Sequence, residues 1–148
     1  MIEIINLTTN PIDEEFLKRV SQKVLKEEKK ERSNLSIVFV DQGRMKELNK
    51  RYLGKNRTTD VLAFGQNQKS KIKNQKFVEP LLGEIVICLE EVRKNAKRFQ
   101  TTFEKELTRV LIHGILHLLD YNHEKSLKKA KLMEERENFY LNQIFAKI

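Results

Sequence analysis

The chain has one cysteine, Cys88, so no internal disulfide can form, and that fits a reducing compartment. It has no apolar stretch approaching the length of a membrane span. A signal peptide is also not in evidence, because Glu3 and polar residues interrupt the N-terminus where an apolar segment would lie. The expectation is a cytoplasmic protein with no membrane partner. No internal repeat and no linker divides the sequence, and 148 residues suffice for one core without disulfide or metal staples, so 1–148 reads as a single domain. Cys88 lies in the apolar run LLGEIVICL and reads as a small buried hydrophobe rather than a nucleophile. Histidine is scarce too: there are three, all between residues 113 and 123.

Charge is plentiful and unbalanced. Net charge is +8 and the pI about 9.6, which points toward an anionic partner without proving one. Charged residues make up 34% of the chain, with Lys and Glu dominant, a composition also met in heat-adapted proteins. The distribution carries more information than the total. From Arg44 to Arg57 run six basic side chains, Arg44, Lys46, Lys50, Arg51, Lys55 and Arg57, against one acid, Glu47. Lys69, Lys71, Lys73 and Lys76 form a second basic stretch in a polar segment. The first could follow a phosphate chain, although a solvated charged face is the plainer account of any single lysine.

The histidines sit in HGILHLLDYNH, residues 113–123. Upstream, Phe103, Leu107, Val110, Leu111, Gly114 and Leu118 recur at steps of three and four, the period of a buried helical face. Thr101 with Glu104 three residues on reads as a capping box at its start. His113 and His117 are then one turn apart on one side of the helix, with Glu106 on the same strip. Ile112, Leu116 and Leu119 fill much of the remaining circumference, so the helix is expected to be buried nearly all round. Asp120, Tyr121 and Asn122 supply a turn that ends the helix at Asp120 and swings His123 toward the other two. Three neutral imidazoles leave the fourth tetrahedral position of zinc open to water, the catalytic rather than the structural arrangement. Two satisfied core histidines and a surface one are the bland alternative, and the HxxxHxxxxxH spacing with every histidine inside it outweighs that. Metzincin proteases share the spacing. Gly114, however, stands where their HExxH glutamate, the general base, would be.

The rest of the chain alternates. Met1 to Leu7 reads as a strand, and Pro11 marks a helix start followed by Phe16, Leu17, Val20 and Val24 and the charged KEEKKERS. Leu35–Asp41 is strand-like and Met45–Tyr52 a short helix, while Asp60–Phe64 and Gly83–Leu89 are two further strands. Residues 66–80 read as a mobile connection. Glu90–Phe99 is helical, the histidine helix follows, and Lys125–Ile148 makes a last helix with Leu132, Phe139 and Ile144 inward. The order of elements is that of an α/β class (α+β type), with about four strands, about five helices and a buried central helix carrying the histidines.

HGILHLLDYNH, together with Leu48–Asn49, TDVLAF (Thr59 to Phe64) and LGEIVI (Leu82 to Ile87), resembles the YbeY family of bacterial metallo-endoribonucleases. Its zinc motif is HGxLHLxGYDH, preceded by TDVLSF and LGDI segments in this order. The likeness covers nearly the whole chain. It implies an α/β fold with a small mixed sheet, one zinc ion per chain held by His113, His117 and His123, a single metallohydrolase domain, and cleavage of single-stranded RNA. In that family the cleavage serves maturation of the small-subunit ribosomal RNA 3′ end and ribosome quality control, so ribosomal RNA and the small ribosomal subunit become the expected partners; oligomeric state is left open. Thr59 and Asp60 match the family's TD pair and are expected to cap and brace the floor of the site. Departures are Asp120 for the family glycine, Asn122 and Glu84 exchanged with aspartate, and Ala63 for a serine. The family arginine after the tyrosine is absent, for Leu53 follows Tyr52, and Arg51 and Arg57 are the neighbours able to replace its charge.

The expected chemistry relies on zinc bringing the pKa of a bound water toward neutrality, with a cation balancing charge on the phosphate. Beyond the metal centre the candidates are Arg51, Arg57 and Glu84, and Arg51, Lys55 and Arg57 are candidate RNA contacts. Glu84 or Glu106 could accept a proton; each could equally pair with a surface lysine. Two competing readings remain: a metzincin-like peptidase using the same ligands, and a non-catalytic RNA- or ribosome-binding protein with zinc as a staple.

Overall fold

The computed structural model describes residues 1–65, 81–119, 121 and 126–146. Its elements follow the order β1 (Ile2–Asn6), α1 (Glu14–Glu27), β2 (Asn34–Val40), α2 (Gln42–Leu53), β3 (Val61–Gly65), β4 (Leu81–Cys88), α3 (Leu89–Arg98), α4 (Phe103–Leu118) and α5 (Leu127–Ile144). The strands form one mixed sheet in the order β1-β2-β4-β3. β1, β2 and β4 run parallel, and β3 returns antiparallel on the edge, with Ala63 opposite Ile85 and Phe64 opposite Glu84. This is the α/β class, sheet type and helix number that the sequence implied.

The two central strands are apolar on both faces because helices cover both. Ile37, Phe39, Ile85 and Ile87 join the large cluster with α1, α3, α4 and α5, while Val38, Val40, Val86 and Cys88 pack with Met45 and Leu48 of α2. α4 runs through the larger side and is buried over most of its circumference, from Glu106 to Leu116. Two glycines let it approach the sheet. A Cβ on Gly114 would lie 3.0 Å from Ile85 Cγ2, and one on Gly83 would lie 2.6 Å from the Phe64 carbonyl oxygen and 2.7 Å from Leu118 Cδ2. The glycine of LGEIVI is therefore a contact point for the histidine helix.

Several boundaries differ from those read in the sequence. α1 begins at Glu14, capped by the Asp13 carboxylate on the Phe16 N–H at 3.1 Å, so Pro11 precedes the helix rather than starting it. Asp41 caps α2 through the Arg44 N–H at 2.8 Å instead of closing the strand. The cap of α4 is Thr102, whose hydroxyl accepts from the Lys105 N–H at 3.1 Å, one residue past the expected Thr101. In α5 the inward stripe is Met133, Glu137 and Tyr140; Leu132 and Phe139 face solvent, and only Ile144 of the expected three packs on the core. The connection at 66–80 and its lysines lie outside the described residues.

Candidate histidine centre

His113 and His117 stand one turn apart on α4, as their spacing dictates, each partly exposed beside an otherwise buried surface. His113 does not stand alone. Its Nδ1 meets Glu137 Oε1, which α5 carries into the core within the stripe Met133, Glu137 and Tyr140. A carboxylate accepts hydrogen bonds, so Nδ1 is the donor in this contact and the ring is held at that nitrogen. That is the second partner metal-binding histidines use to fix ring and tautomer.

Arg109, one turn before His113, binds Glu106 through Nε to Oε1 at 3.0 Å and Nη2 to Oε2 at 2.7 Å, and approaches Glu137 Oε2 at 4.0 Å. Its pKa lies above the ordinary arginine value. The hydrogen bonds to Glu106 are the largest cause, burial opposes them, and the charges of Glu106, Glu137 and Asp60 add to them. Glu106, Arg109, Glu137 and His113 thus form one chain of alternating partners. Glu106 is a structural anchor for Arg109 in this arrangement.

The other predicted residues are dispersed. By strand alternation Glu84 shares the face of Val86 and Cys88, on the side covered by α2 and away from the histidine helix. Arg51 is exposed on α2 and pairs with Glu47 at 3.9 Å, and Leu53, at the family arginine's position, is exposed at the end of α2. The helix closes on Gly54, whose φ of 70° is easy only for a residue without Cβ. Lys55 and Arg57 are exposed on the loop that follows. Buried Asn49 holds that loop, its side chain donating from Nδ2 to the Arg57 carbonyl at 2.8 Å while its backbone carbonyl accepts the Lys55 N–H at 3.3 Å. This gives the Leu48–Asn49 motif its physical role.

The loop runs into β3, the strand α4 lies against. At its end Asp60 accepts from Asn95 Nδ2 at 3.2 Å and, through its carbonyl, from the Cys88 N–H at 2.9 Å, bracing β3 to β4 and α3. His123, Asp120 and Asn122 lie outside the described residues, and among the described residues no group of three His, Cys, Asp or Glu side chains is placed to hold a metal. The described part of the donor set suits zinc: two imidazoles at i and i+4, one of them backed by a carboxylate. Glu137 and Arg109 were missed in the sequence. The stripe read in the sequence, Leu132, Phe139 and Ile144, leaves Glu137 outside, so no local signal marked it.

A mixed four-stranded sheet with paired histidines on its buried helix, one of them backed by a carboxylate, defines an α/β protein built around a histidine centre. The chain belongs to the YbeY family: the family model described as Endoribonuclease YbeY matches residues 3–145. A relative from Thermotoga neapolitana named Endoribonuclease YbeY is 40% identical over 133 residues, 88% of this chain and 82% of the relative. One of the same name from a Sulfurihydrogenibium species is 38% identical over 122 residues, 82% of this chain and 77% of that one. The solution structure of a Thermotoga maritima protein aligns with a TM-score of 0.67 at 34% identity, covering 98% of this chain and 89% of that chain.

Proposed function

We propose that this chain is a zinc-dependent endoribonuclease that cuts single-stranded RNA, with the 3′ end of small-subunit ribosomal RNA as its substrate in ribosome maturation and quality control. The observation that carries the reading is the Glu137-backed His113 beside His117 on α4, in a family whose members carry the name endoribonuclease. His113, His117 and His123 hold one zinc ion per chain. When bound, zinc supplies Lewis acidity, polarising a phosphate oxygen and acidifying a water near neutral pH.

The protein's own groups do the rest. Glu137 keeps the His113 ring in one tautomer, so its Nε2 need not reorganise when the ligand set closes. Glu106 and Glu137 keep Arg109 extended and charged one turn from His113. Lys55 and Arg57 present two cations on an anchored loop, suited to an RNA backbone, while exposed Arg51 adds charge from α2. A peptidase is disfavoured because the HExxH position is Gly114, which abuts Ile85; a side chain there enters the sheet instead of reaching a substrate.

The test measures zinc per chain and cleavage of a labelled single-stranded RNA, before and after chelation and after zinc is returned. About one zinc per chain, with cleavage lost on chelation and restored by zinc, is expected. Undiminished cleavage by chelated protein, or by a folded His117→Ala variant, would overturn the reading.

A further inference from the structure

We propose that Glu28, at the end of α1, is a positioning residue for the histidine centre: it clamps Tyr121 and so fixes where the chain leaves α4 on its way to His123. The inference rests on the zinc reading above. Glu28 is far from the histidines in sequence, and nothing in the motif HGILHLLDYNH points to it.

Its carboxylate takes three donors, one from Tyr121 after α4 and two from α5. Tyr121 Oη donates to Oε1 at 2.7 Å, Arg136 Nη2 donates to Oε2 at 2.7 Å, and Tyr140 Oη also donates to Oε2. Arg136 Nη2 lies 2.6 Å from Tyr140 Oη as well, closing the cluster. Burial by itself would raise the Glu28 pKa; the bonds from Tyr140, Tyr121 and Arg136 outweigh it and hold the value below the ordinary glutamate range. The clamp on Tyr121 is therefore made by a charged acceptor at neutral pH, the stronger kind of hydrogen bond.

Tyr121 is also held from the other side. Its N–H returns to the Leu116 carbonyl at 3.1 Å, the six-residue closure of a helix C-terminus, and its ring packs on the large core cluster. Main chain from α4 and side chain from α1 thus meet at one residue, four positions after His117 and two before His123. Ligands on a turn keep their geometry only where the turn is anchored, and metal sites tolerate errors of about 0.5 Å. Loss of such outer partners typically weakens metal binding by about 10- to 100-fold.

Tyr140 supplies the control. It donates to the same carboxylate, yet it is fully buried in α5 and outside the ligand interval. The full-length chain and its Tyr121→Phe and Tyr140→Phe variants are titrated with zinc against a chromophoric chelator at pH 7, and thermal unfolding of each chelated protein is recorded. Tyr121→Phe is expected to weaken zinc binding about tenfold, and to lower the unfolding temperature of the chelated protein no more than Tyr140→Phe does. Tyr140→Phe is expected to lower that unfolding temperature and to keep wild-type zinc affinity. Wild-type affinity in Tyr121→Phe, or equal losses in both variants, would overturn the inference while leaving the zinc reading intact. A wild-type chain that binds no zinc would overturn both.

Discussion

Replacing Glu137 by alanine removes the carboxylate that meets the His113 ring at Nδ1. Nδ1 loses its acceptor, the ring gains rotational and tautomeric freedom, and zinc binding must then supply the order that the protein supplied before. Outer partners of this kind are worth about 10- to 100-fold in metal affinity, about 1.4 to 2.8 kcal/mol at 1.4 kcal/mol per tenfold. The cost to the fold is smaller. Arg109 keeps both of its bonds to Glu106 when Glu137 is gone, so no buried charge is orphaned. The zinc-free variant should lose on the order of 1 kcal/mol, the net worth of a typical hydrogen bond. Glu137→Gln keeps an acceptor oxygen without the charge and should fall near the tenfold end of that range. The assay is a zinc competition titration on wild type and both variants, with denaturant unfolding of the chelated proteins alongside. A Glu137→Ala variant with wild-type zinc affinity would refute the orienting role. One that bound zinc more tightly would show instead that Glu137 competes with the metal for His113.

The two glycines beneath α4 should rank by what their new Cβ meets. Gly83→Ala, forced onto the Phe64 backbone oxygen at 2.6 Å, should cost about 3 kcal/mol, and Gly114→Ala, against the Ile85 side chain at 3.0 Å, about 1 kcal/mol after the gain in helix propensity; equal losses in urea unfolding would contradict the packing. α1 and α3 end on non-glycine residues in the left-handed region, Lys29 at φ 61° and Gln100 at φ 55°. Lys29→Gly and Gln100→Gly should each stabilise by up to about 1 kcal/mol, read by thermal unfolding, and a loss in both would count against the helix endings described. Glu28 has its folded pKa below the ordinary 4.5, so its contribution is complete above about pH 4.5 and is lost as pH falls through the folded value. The stability gap between wild type and Glu28→Gln should therefore be constant near neutrality and close in acid; a gap that widened in acid would reverse the sign.

Much of the architecture was readable because local patterns left few choices. Buried runs with flanking turns gave the four strands, and 3.6-residue periodicity over sixteen residues gave α4. The last helix was read one position out of phase, since Leu132, Phe139 and Ile144 fit the period about as well as Met133, Glu137, Tyr140 and Ile144. Only the second stripe contains an acid, which argues against it until His113 and Arg109 are seen to satisfy Glu137. Glu84 was ambiguous for a related reason. A strand buried on both faces offers no polar alternation to say which residues point at the histidine helix, so parity came only with the sheet.

The sequence by itself determined that His113 and His117 share a helical strip, that Gly114 replaces the peptidase base, that strands and helices alternate, and that positive charge gathers between Arg44 and Arg57. These are properties of spacing and composition, fixed within a few residues. Only the tertiary structure decided that Glu137 stands behind His113, that Arg109 is held between Glu106 and Glu137, and that Glu28 reaches Tyr121 across 93 residues. Those contacts join elements far apart in the chain, and a buried charge reveals its partner only when packing has brought the two together.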